Sequence, residues 1–498
     1  MKFLMEDSKI IPIIKFNSGD KSQVISKLPD IPSVPSNPSF NVNPALQKIL
    51  TGKQLLVGDL PFSLEEIHQH YENGYIVYRR GLEISDTKLK CERCGSTDPA
   101  SFAEFPCSRC GETDVYCRRC LMMGRVSGCT PLISWKGPNP ESTVHSSLLN
   151  WDGQLSEGQK LASNRVVEAV ENLSELLVWA VAGAGKTEVL FAGIERALST
   201  GKRVCLATPR TDVVLELAPR LGKVFPQVKI ASLYGGSDDR HEYAQLTIAT
   251  THQLLRFYQA FDVIIVDEVD AFPYSVDETL QYVVEQSRKL QSTLIYLTAT
   301  PSQKWQRECR LGKREYVTIP ARFHRKPLPV PRFEWSGNWE KKLSKGKLSV
   351  NITKWIEARL ASGKPTLVFV PKISYMEKIL FLLRQLHPQI ESVHAEDPER
   401  KEKVLKMRQK EIPILVTTTI LERGVTISNI DVAVIGSEDR IFTESALVQI
   451  AGRAGRSTQF PTGDVIFFHY GKTEAMVNAR NQIVKMNKEG IKKGLIDV

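Results

Sequence analysis

The feature that most constrains this chain is a glycine-containing loop between an apolar run and a helical pattern. Residues 176–179 form a short apolar run of the kind found in buried parallel strands. Residues 180–187 are Ala-Val-Ala-Gly-Ala-Gly-Lys-Thr, and the apolar spacing of residues 188–198 predicts a helix. This order is that of a phosphate-binding loop, or P-loop, although Ala180 stands where the pattern expects its first glycine. It predicts an α/β domain with a parallel sheet.

Each residue type in the loop suits the binding of a nucleoside triphosphate. Gly183 and Gly185, on either side of Ala184, allow backbone N–H groups to surround phosphate oxygens, and the helix N-terminus adds positive charge. Lys186 can reach the β- and γ-phosphates, and Thr187 can hold Mg²⁺. Taken alone, the pattern is also that of a tight glycine turn between a strand and a helix.

A second pattern follows downstream, where an apolar run leads into Asp-Glu-Val-Asp at residues 267–270. It predicts a central strand whose carboxyl end bears acidic groups, which is where ligands bind in open α/β sheets. Asp267 can take Mg²⁺ through water, and Glu268 can orient and deprotonate the attacking water. An acidic strand end alone is usually a loop start. Together with the upstream P-loop, it predicts nucleotide hydrolysis with ATP and Mg²⁺ as ligands.

Length and charge limit the classes of protein to which this chain can belong. The chain of 498 residues is long enough for several domains with separate cores. Its net charge of +10 favours a polyanionic partner such as nucleic acid or an anionic membrane surface, with a basic solvated surface as the alternative. The sequence contains no apolar run near the ~18 to 20 residues of a membrane span and no signal peptide. We therefore expect a cytoplasmic protein with no membrane span of its own.

The cysteines are clustered, with seven of the nine between residues 91 and 129. Six of them form Cys-x-x-Cys pairs, and two such pairs complete a tetrahedral zinc site. Three pairs exceed one site, so a second partial site, or one pair left as free thiols, stays open. A redox pair is the rival interpretation. The pairs are Cys91 with Cys94, Cys107 with Cys110, and Cys117 with Cys120, and Cys129 follows alone.

Composition and recurring strand patterns divide the chain into segments. The strands end in polar residues and alternate with helices, which predicts doubly wound parallel sheets. The predicted segments are a disordered N-terminal stretch at 1–44, a lead-in α/β module at 45–90, a zinc module at 91–130, a RecA-like ATP-binding domain at 151–325, a basic Pro/Lys linker at 326–350 and a second RecA-like domain at 351–498.

Two further patterns complete the candidate nucleotide site. Gln159 precedes the P-loop by a short helix, and its amide can pair with an adenine edge; the alternative is a surface helix cap. The second RecA-like segment has no P-loop but contains Arg453 and Arg456, three residues apart. Their guanidinium groups can neutralise charge on a transferring γ-phosphate, although a salt-bridged helix face would also contain them.

In their order, these motifs resemble those of the superfamily 2 helicases over residues 151–498. They are Gln159, the P-loop and residues 208–210, 267–270, 298–300, 417–426 and 449–456. Together with the cysteine module, residues 117–125, 207–221, 271–275 and 442–446 extend the resemblance to the late-competence ComFA proteins, over nearly all of the chain beyond residue 45.

The resemblance implies a cytoplasmic ATPase that helps draw single-stranded DNA through the ComEC membrane channel. It implies other cytoplasmic competence proteins as partners and a location at the inner face of the membrane through those partners. An oligomer stays an open alternative. It also implies that the zinc ligands are Cys91, Cys94, Cys117 and Cys120, with the middle pair as a departure from the family pattern. A second departure is Asp270, where helicases have His.

From the motifs and this resemblance we expect a DNA-dependent ATPase that moves single-stranded DNA into the cytoplasm during competence. Two RecA-like lobes would close on Mg-ATP, with Lys186, Asp267, Glu268, Arg453 and Arg456 as the catalytic residues. Two alternatives remain. One is a superfamily 2 DNA helicase of replication restart or repair, and the other is a zinc-dependent DNA-binding scaffold switched by ATP.

Overall fold

A computed structural model describes residues 1–13, 22–85, 88–140, 148–423 and 427–497. Its contacts divide the chain into two compact units, neither of which is one continuous stretch. The first unit comprises Met1–Asp152, Val167–Glu175 and Ala192–Tyr296. The second unit comprises Gly153–Val166, Leu176–Phe191 and Leu297–Val498.

The N-terminal stretch of the first unit forms a small antiparallel sheet. Strand β1 (Lys2–Glu6) pairs with β2 (Lys9–Ile13) and with β3 (Gln23–Val24). Phe3 and Ile10 are fully buried in a hydrophobic cluster that they share with the lead-in module. Over residues 1–13 and 22–44, this finding differs from the expected disorder of residues 1–44. Residues 14–21 of that prediction lie outside the described residues. The many Pro, Ser and Asn residues of this stretch are typical of disordered chain. Composition does not show that a few apolar side chains pack into the core of a neighbouring segment.

The lead-in and cysteine modules are built from short helices and antiparallel pairs. Helix α2 (Leu64–Glu72) begins after its N-cap Ser63, whose Oγ accepts a hydrogen bond from the Glu66 N–H at 3.1 Å. The elements are α1 (Pro44–Leu50), α2 (Leu64–Glu72), β4 (Ile76–Arg80), β5 (Leu82–Ser85), β6 (Lys88–Cys91), β7 (Phe102–Cys107), β8 (Glu112–Cys117) and β9 (Pro131–Trp135). Strand β4 pairs with β9, β5 with β6 and β7 with β8.

The next part of the chain alternates strands and helices and forms a seven-stranded sheet. Its strands are β10 (Glu175–Ala180), β11 (Val204–Thr208), β12 (Ile230–Leu233), β13 (Leu246–Thr250), β14 (Phe261–Val266), β15 (Arg288–Thr298) and β16 (Tyr316–Ile319). They lie in the order β12-β13-β11-β14-β15-β10-β16, and β14 is parallel to both of its neighbours. The helices are α3 (Glu157–Asn172), α4 (Lys186–Val189), α5 (Phe191–Ser199), α6 (Thr211–Val224), α7 (Glu278–Ser287) and α8 (Gln303–Arg310).

The second unit contains a further sheet whose neighbouring strands are all parallel. Its order is β17-β22-β21-β18-β20-β19. The strands are β17 (Arg332–Trp335), β18 (Thr366–Phe369), β19 (Glu391–Val393), β20 (Ile414–Thr417), β21 (Asp431–Ile435) and β22 (Val465–His469). The helices are α9 (Trp339–Ser344), α10 (Val350–Ser362), α11 (Ile373–Arg384), α12 (Arg400–Arg408), α13 (Glu444–Ala451) and α14 (Glu474–Lys492).

The stretch expected to be a basic linker at 326–350 contains regular structure. Strand β17 pairs with β22 at the edge of the second sheet, where preceding prolines cost no ladder hydrogen bond. Trp339, the first residue of α9, is buried in the core of this sheet with Trp355 and Phe468. The lysines dominate the composition, but the buried aromatic side chain determines the packing.

The predicted fold class is confirmed: two RecA-like doubly wound parallel-sheet domains follow a small cysteine-rich module. Within the ranges that the structure describes, no helix combines the length and the apolar character that crossing a membrane requires.

Candidate active site and metal centre

The P-loop follows β10 in the second unit. Ala180 is the last residue of the strand and is fully buried, so the position of the missing glycine belongs to the strand and not to the turn. Gly183 and Gly185 have φ angles of +81° and +71°, which side chains other than hydrogen rarely allow. Lys186 opens α4, and it and Thr187 are half-buried. The loop therefore has the backbone shape that a cradle for phosphate oxygens requires.

Gln159 is buried against this loop. Its Oε1 accepts a hydrogen bond from the Ser156 N–H at 2.9 Å, and its Nε2 donates to the carbonyl oxygens of Ala184 at 2.9 Å and Gly185 at 3.3 Å. The structure thus gives the amide a role in holding the P-loop. Its contact with an adenine edge stays a prediction.

Arg322 is a residue that the sequence did not single out. It is 1% exposed. Its Nε donates to the carbonyl oxygen of Ala182 in the P-loop at 3.1 Å, and its other nitrogens donate to Ala454 at 2.7 Å and Gly452 at 2.9 Å. Burial lowers the pKa of Arg322 to about 9, and the nearby Arg456 adds to the shift. No local pattern marks this arginine, because its partners lie more than a hundred residues away in the chain.

Arg453 and Arg456 lie in the turn that follows α13. Arg453 is buried, and its Nε donates to the carbonyl oxygen of Glu422 at 3.0 Å. Arg456 is half-buried, and its Nε donates to the carbonyl oxygen of Gly452 at 2.9 Å. A Cβ placed on Gly183 would lie 3.8 Å from Cγ of Arg456. The second unit therefore brings the P-loop and one of the two predicted arginines into the same neighbourhood.

Two other predicted motifs meet in the second unit. Thr300 Oγ1 donates to Ser445 Oγ at 2.8 Å, and Nη2 of Arg423 donates to the same oxygen at 3.3 Å. The Thr298 hydroxyl accepts the Thr300 N–H at 2.9 Å. Residues 424–426 of the predicted motif at 417–426 lie outside the described residues. Ser445 thus joins the end of β15 to the segment after β20.

The acidic pattern lies in the first unit, directly after the central strand β14. The Asp267 N–H donates to the carbonyl oxygen of Ala207 at 2.8 Å, and Asp267 Oδ1 accepts the Glu268 N–H at 2.8 Å. Glu268 has a φ angle of +55°, a left-handed conformation that costs a residue with a side chain about 1–3 kcal/mol. Such strain is concentrated at functional sites. Both residues are half-buried.

The four cysteines implied by the family resemblance form one buried group. Cys91, Cys94, Cys117 and Cys120 have sulfur atoms that all lie within 4.8 Å of one another. Cys91 and Cys120 are 3.7 Å apart at Sγ, and Cys94 and Cys117 are 3.6 Å apart. Zinc–sulfur bonds of ~2.3 Å in a tetrahedron place sulfurs about 3.8 Å apart. The spacing and the soft donors fit Zn²⁺. Cys107 and Cys110 are not in this group.

Arg93, inside the first Cys-x-x-Cys pair, supports the group. Its Nε donates to Cys120 Sγ at 3.5 Å, and its Nη atoms donate to the carbonyl oxygens of Met123 at 2.9 Å and Cys120 at 3.0 Å. The hydrogen bond from Cys117 lowers the pKa of the Cys120 thiol, and the Arg93 guanidinium also contributes. Arg93 is 2% exposed, so its place is in the interior of the module, where it favours a thiolate ligand.

The first Cys-x-x-Cys turn packs on helix α7 of the first unit. Gly95 has a φ of +73°, and a Cβ there would lie 2.5 Å from the ring of Tyr282 in α7. Gln286, also in α7, donates from Nε2 to the carbonyl oxygen of Glu92 at 2.7 Å. Because α7 connects β14 to β15, the cysteine quartet lies against the helix that follows the acidic residues.

A P-loop, an acidic strand end and a paired-arginine turn on parallel sheets define a helicase-type enzyme that hydrolyses ATP. Family models support this class. They are the Type III restriction enzyme, res subunit, at residues 152–303, the Helicase conserved C-terminal domain at 349–458, and the Competence protein ComFA N-terminal domain at 37–134.

Similar proteins identify the family. Competence protein ComFA of Bacillus subtilis (strain 168) is 51% identical over 456 residues, which cover 92% of this chain and 98% of that protein. Competence protein ComFA of Streptococcus pneumoniae (strain ATCC BAA-255 / R6) is 40% identical over 404 residues, or 81% of this chain and 91% of that protein. The chain belongs to the ComFA family. Among solved structures, RecG bound to a three-way DNA junction matches with 16% identity and a TM-score of 0.48, covering 69% of this chain and 47% of that chain.

Proposed function

We propose that this enzyme is a DNA-dependent ATPase that translocates single-stranded DNA and drives the uptake of transforming DNA during competence. Its family membership supports the role in competence, because the similar proteins of two bacteria are named competence proteins. The helicase-type domains support an ATP-driven action on nucleic acid. The net charge of +10 favours a phosphate backbone as the partner.

The observation on which this proposal rests is the joining of the P-loop to the arginine turn by Arg322. Hydrogen bonds connect Arg322 to the loop at Ala182 and to the turn at Gly452 and Ala454. A change in the P-loop on nucleotide binding or release is therefore transmitted directly to the second parallel sheet, which bears that turn. Coupling of this kind is what converts ATP turnover into movement of a bound strand.

For the chemical step, we propose that the P-loop from Gly183 to Thr187 holds the triphosphate, with Lys186 at the β- and γ-phosphates. Thr187 and Asp267 would hold Mg²⁺, and their hydroxyl and carboxylate oxygens are its preferred donors. Bound there, the ion neutralises charge on the phosphate oxygens. Both motifs lie within the stretch 152–303 that one family model matches, which supports their acting on one nucleotide.

Glu268 would orient a water molecule towards the γ-phosphorus and accept its proton. The new bond joins the water oxygen to the γ-phosphorus, and the bond to the bridging oxygen breaks and leaves ADP. Negative charge grows on the leaving oxygen and on the transferred group, and Lys186 and Arg456 would neutralise it. Arg453, which is buried against the carbonyl oxygen of Glu422, would position the arginine turn.

We further propose that the zinc quartet stabilises the N-terminal module and that the moving strand passes over the carboxyl ends of both parallel sheets. Arg210, which follows the end of β11, is half-buried, and its guanidinium group suits contact with a phosphate backbone. By family, the partners would be a ComEC-type channel and other competence proteins at the cytoplasmic face of the membrane.

ATP turnover of the zinc-loaded protein tests the proposal when measured without DNA, with single-stranded DNA and with duplex at one fixed salt concentration. We expect stimulation by single strands and loss of turnover in Lys186→Ala. Lys304→Ala, at an exposed position of α8, is the matched control and should behave as wild type. Equal stimulation by duplex would favour an unwinding enzyme. No stimulation by either DNA would favour the ATP-switched scaffold.

A further inference from the structure

We propose a second zinc site in the N-terminal module, formed by Cys107, Cys110, Cys129 and Asp114. Their ligand atoms, three sulfurs and one carboxylate oxygen, all lie within 4.8 Å of one another, and the four residues are buried. Cys107 and Cys129 are 3.6 Å apart at Sγ, close to the sulfur spacing of about 3.8 Å around tetrahedral zinc. None of the four belongs to the Cys91 quartet, so the sites are separate.

The turn that presents Cys107 and Cys110 repeats the geometry of the first site. Gly111 donates its N–H to the carbonyl oxygen of Cys107 at 2.8 Å and has a φ of +70°. In the first site, Gly95 donates to the carbonyl oxygen of Cys91 at 2.8 Å with a φ of +73°. A Cβ on Gly111 would meet nothing within 4 Å, whereas one on Gly95 would strike Tyr282. The glycine at 111 is therefore required by the turn itself, the form that makes two thiolates converge on a metal.

The fourth group, Asp114, is a carboxylate that needs a cation. It is 6% exposed and accepts the N–H groups of Val115 at 2.8 Å and Cys129 at 2.9 Å. Across the described ranges, no basic side chain forms an ion pair with it. Burying a carboxylate beside three thiols is unfavourable unless positive charge compensates it. A divalent ion held by the same four groups supplies that charge.

The backbone around Cys129 is shaped to bring it to Asp114. Gly128 donates its N–H to the carbonyl oxygen of Val115 at 3.0 Å, which fixes the returning chain against β8. A Cβ on Gly128 would lie 2.4 Å from Oδ1 of Asp114, so only glycine permits this approach. Cys129 follows directly and completes the group. The sequence left this cysteine without an assigned role, and Asp114 has no motif at all.

The site would also fasten the N-terminal sheet to the cysteine module. Val24 packs against Cys107, Cys110 and Cys129, and the Ser26 N–H donates to the carbonyl oxygen of Gly128 at 3.1 Å. Lys2 and Lys27 both form ion pairs with Glu112 of β8, at 2.7 and 3.2 Å. Loss of the ion should therefore loosen β1 to β3 without disturbing the Cys91 quartet.

Metal content of the full-length protein tests this proposal. We expect two zinc ions per chain by plasma mass spectrometry, and one in Cys110→Ser. Cys309→Ser, which removes a buried cysteine of α8 far from the module in sequence, should retain two. Limited proteolysis should cut the N-terminal 28 residues faster in Cys110→Ser than in the control. One zinc per chain in the wild type, or two in Cys110→Ser, would overturn the proposal.

Two further measurements keep the test decisive if Cys110→Ser folds poorly. Cobalt substitution of the wild type should give two tetrahedral cobalt ions per chain, and Asp114→Asn should release one of its two zinc ions faster to a chelator. Intact mass should match fully reduced cysteines. A mass lower by two hydrogens, mapped to Cys107 and Cys129, would instead identify a disulfide and refute the metal site.

Discussion

Nε of Arg322 donates a hydrogen bond to the carbonyl oxygen of Ala182 over 3.1 Å, which attaches this buried arginine to the phosphate loop. The other nitrogens of Arg322 bind the carbonyl oxygens of Gly452 and Ala454 in the turn before Arg456. One guanidinium thus fixes the distance between two motifs that helicase-type enzymes use on the same nucleotide. No pattern in the sequence around Arg322 predicts this role.

Arg322→Gln should lower both stability and turnover. The shorter, neutral side chain cannot reach all four carbonyl oxygens to which Arg322 donates, those of Ala182, Gly452, Ala454 and Gly455. Each buried acceptor left unpaired costs about 1–3 kcal/mol. We expect ATP turnover to fall at least tenfold and the unfolding midpoint in urea to decrease. Arg310→Gln, at an exposed position of α8, is the control and should change neither quantity. Wild-type turnover in Arg322→Gln would show that the link does not serve catalysis.

Gly452→Ala tests the contact between the turn and the P-loop, because it adds one methyl group and removes no hydrogen-bonding group. A Cβ there would lie 2.4 Å from Cβ of Ala182, and the φ of −64° at Gly452 is one that alanine accepts. We expect the added methyl group to push the loop and the turn apart and to reduce kcat at least tenfold. Gly471→Ala, where a Cβ meets nothing within 4 Å, should leave kcat unchanged. Equal kcat values in the two variants would contradict the contact.

Substitutions of the two arginines in the turn should have different effects on hydrolysis and on stability. Arg456→Ala should lower single-turnover hydrolysis by about 10³-fold, as expected for an arginine that stabilises transition-state charge, with an unchanged melting temperature. Arg453→Ala should lower the melting temperature, because it removes a buried guanidinium bonded to the carbonyl oxygen of Glu422. Calorimetry and rapid-quench kinetics measure the two quantities. Equal losses of stability in both variants would refute this division of roles.

Stability should depend on pH through Lys53. Burial lowers the pKa of Lys53 to about 7 from 10.5, and Arg203 and Arg256 add to the shift. Between these values the unfolded chain binds a proton that the folded chain does not, so the free energy of unfolding rises with pH, by up to about 1.4 kcal/mol per unit. Urea unfolding at pH 7.5 to 9.5 should show this rise in wild type and in the exposed control Lys48→Met. Lys53→Met should lack it, and an identical slope in Lys53→Met would disprove the assignment.

Removing a ligand of the first zinc site should disturb α7. Cys91→Ser should lose one zinc and loosen the turn that packs on Tyr282, so hydrogen exchange should quicken in the helix that contains Gln286. ATP turnover in the absence of DNA should persist if the module serves DNA binding. If turnover without DNA disappears while the sheet core stays protected from exchange, the module acts on the catalytic centre itself.

Much of the candidate catalytic centre could be predicted because its motifs are short, contiguous patterns. The P-loop needs positive φ angles at Gly183 and Gly185, and glycine is the residue that supplies them. The acidic pair follows an apolar run because β14 is buried between two parallel neighbours. The spacing of a Cys-x-x-Cys pair predicts a metal ligand. Each of these signals spans fewer than ten residues.

The features that could not be predicted from the sequence depend on contacts between residues that are distant in the chain. The grouping of Cys129 with Cys107 and Asp114 follows from how β8 and the Gly128 turn pack, since cysteine spacing alone allows several sets of four. Arg93 and Arg322 are basic residues, which are usually found at the surface, yet both are buried. Strands β1 and β2 form because Phe3 and Ile10 complete a core that other segments supply.

The sequence by itself therefore determined the kind of chemistry, the fold class and the residues of the local motifs. The tertiary structure decided which motifs share a compact unit, which cysteines share a site, and which arginine joins the P-loop to the arginine turn. The physical reason is that glycine conformations, metal-ligand spacing and strand periodicity are local properties of a chain. Burial and the partners of a buried charge depend instead on every segment that packs around it.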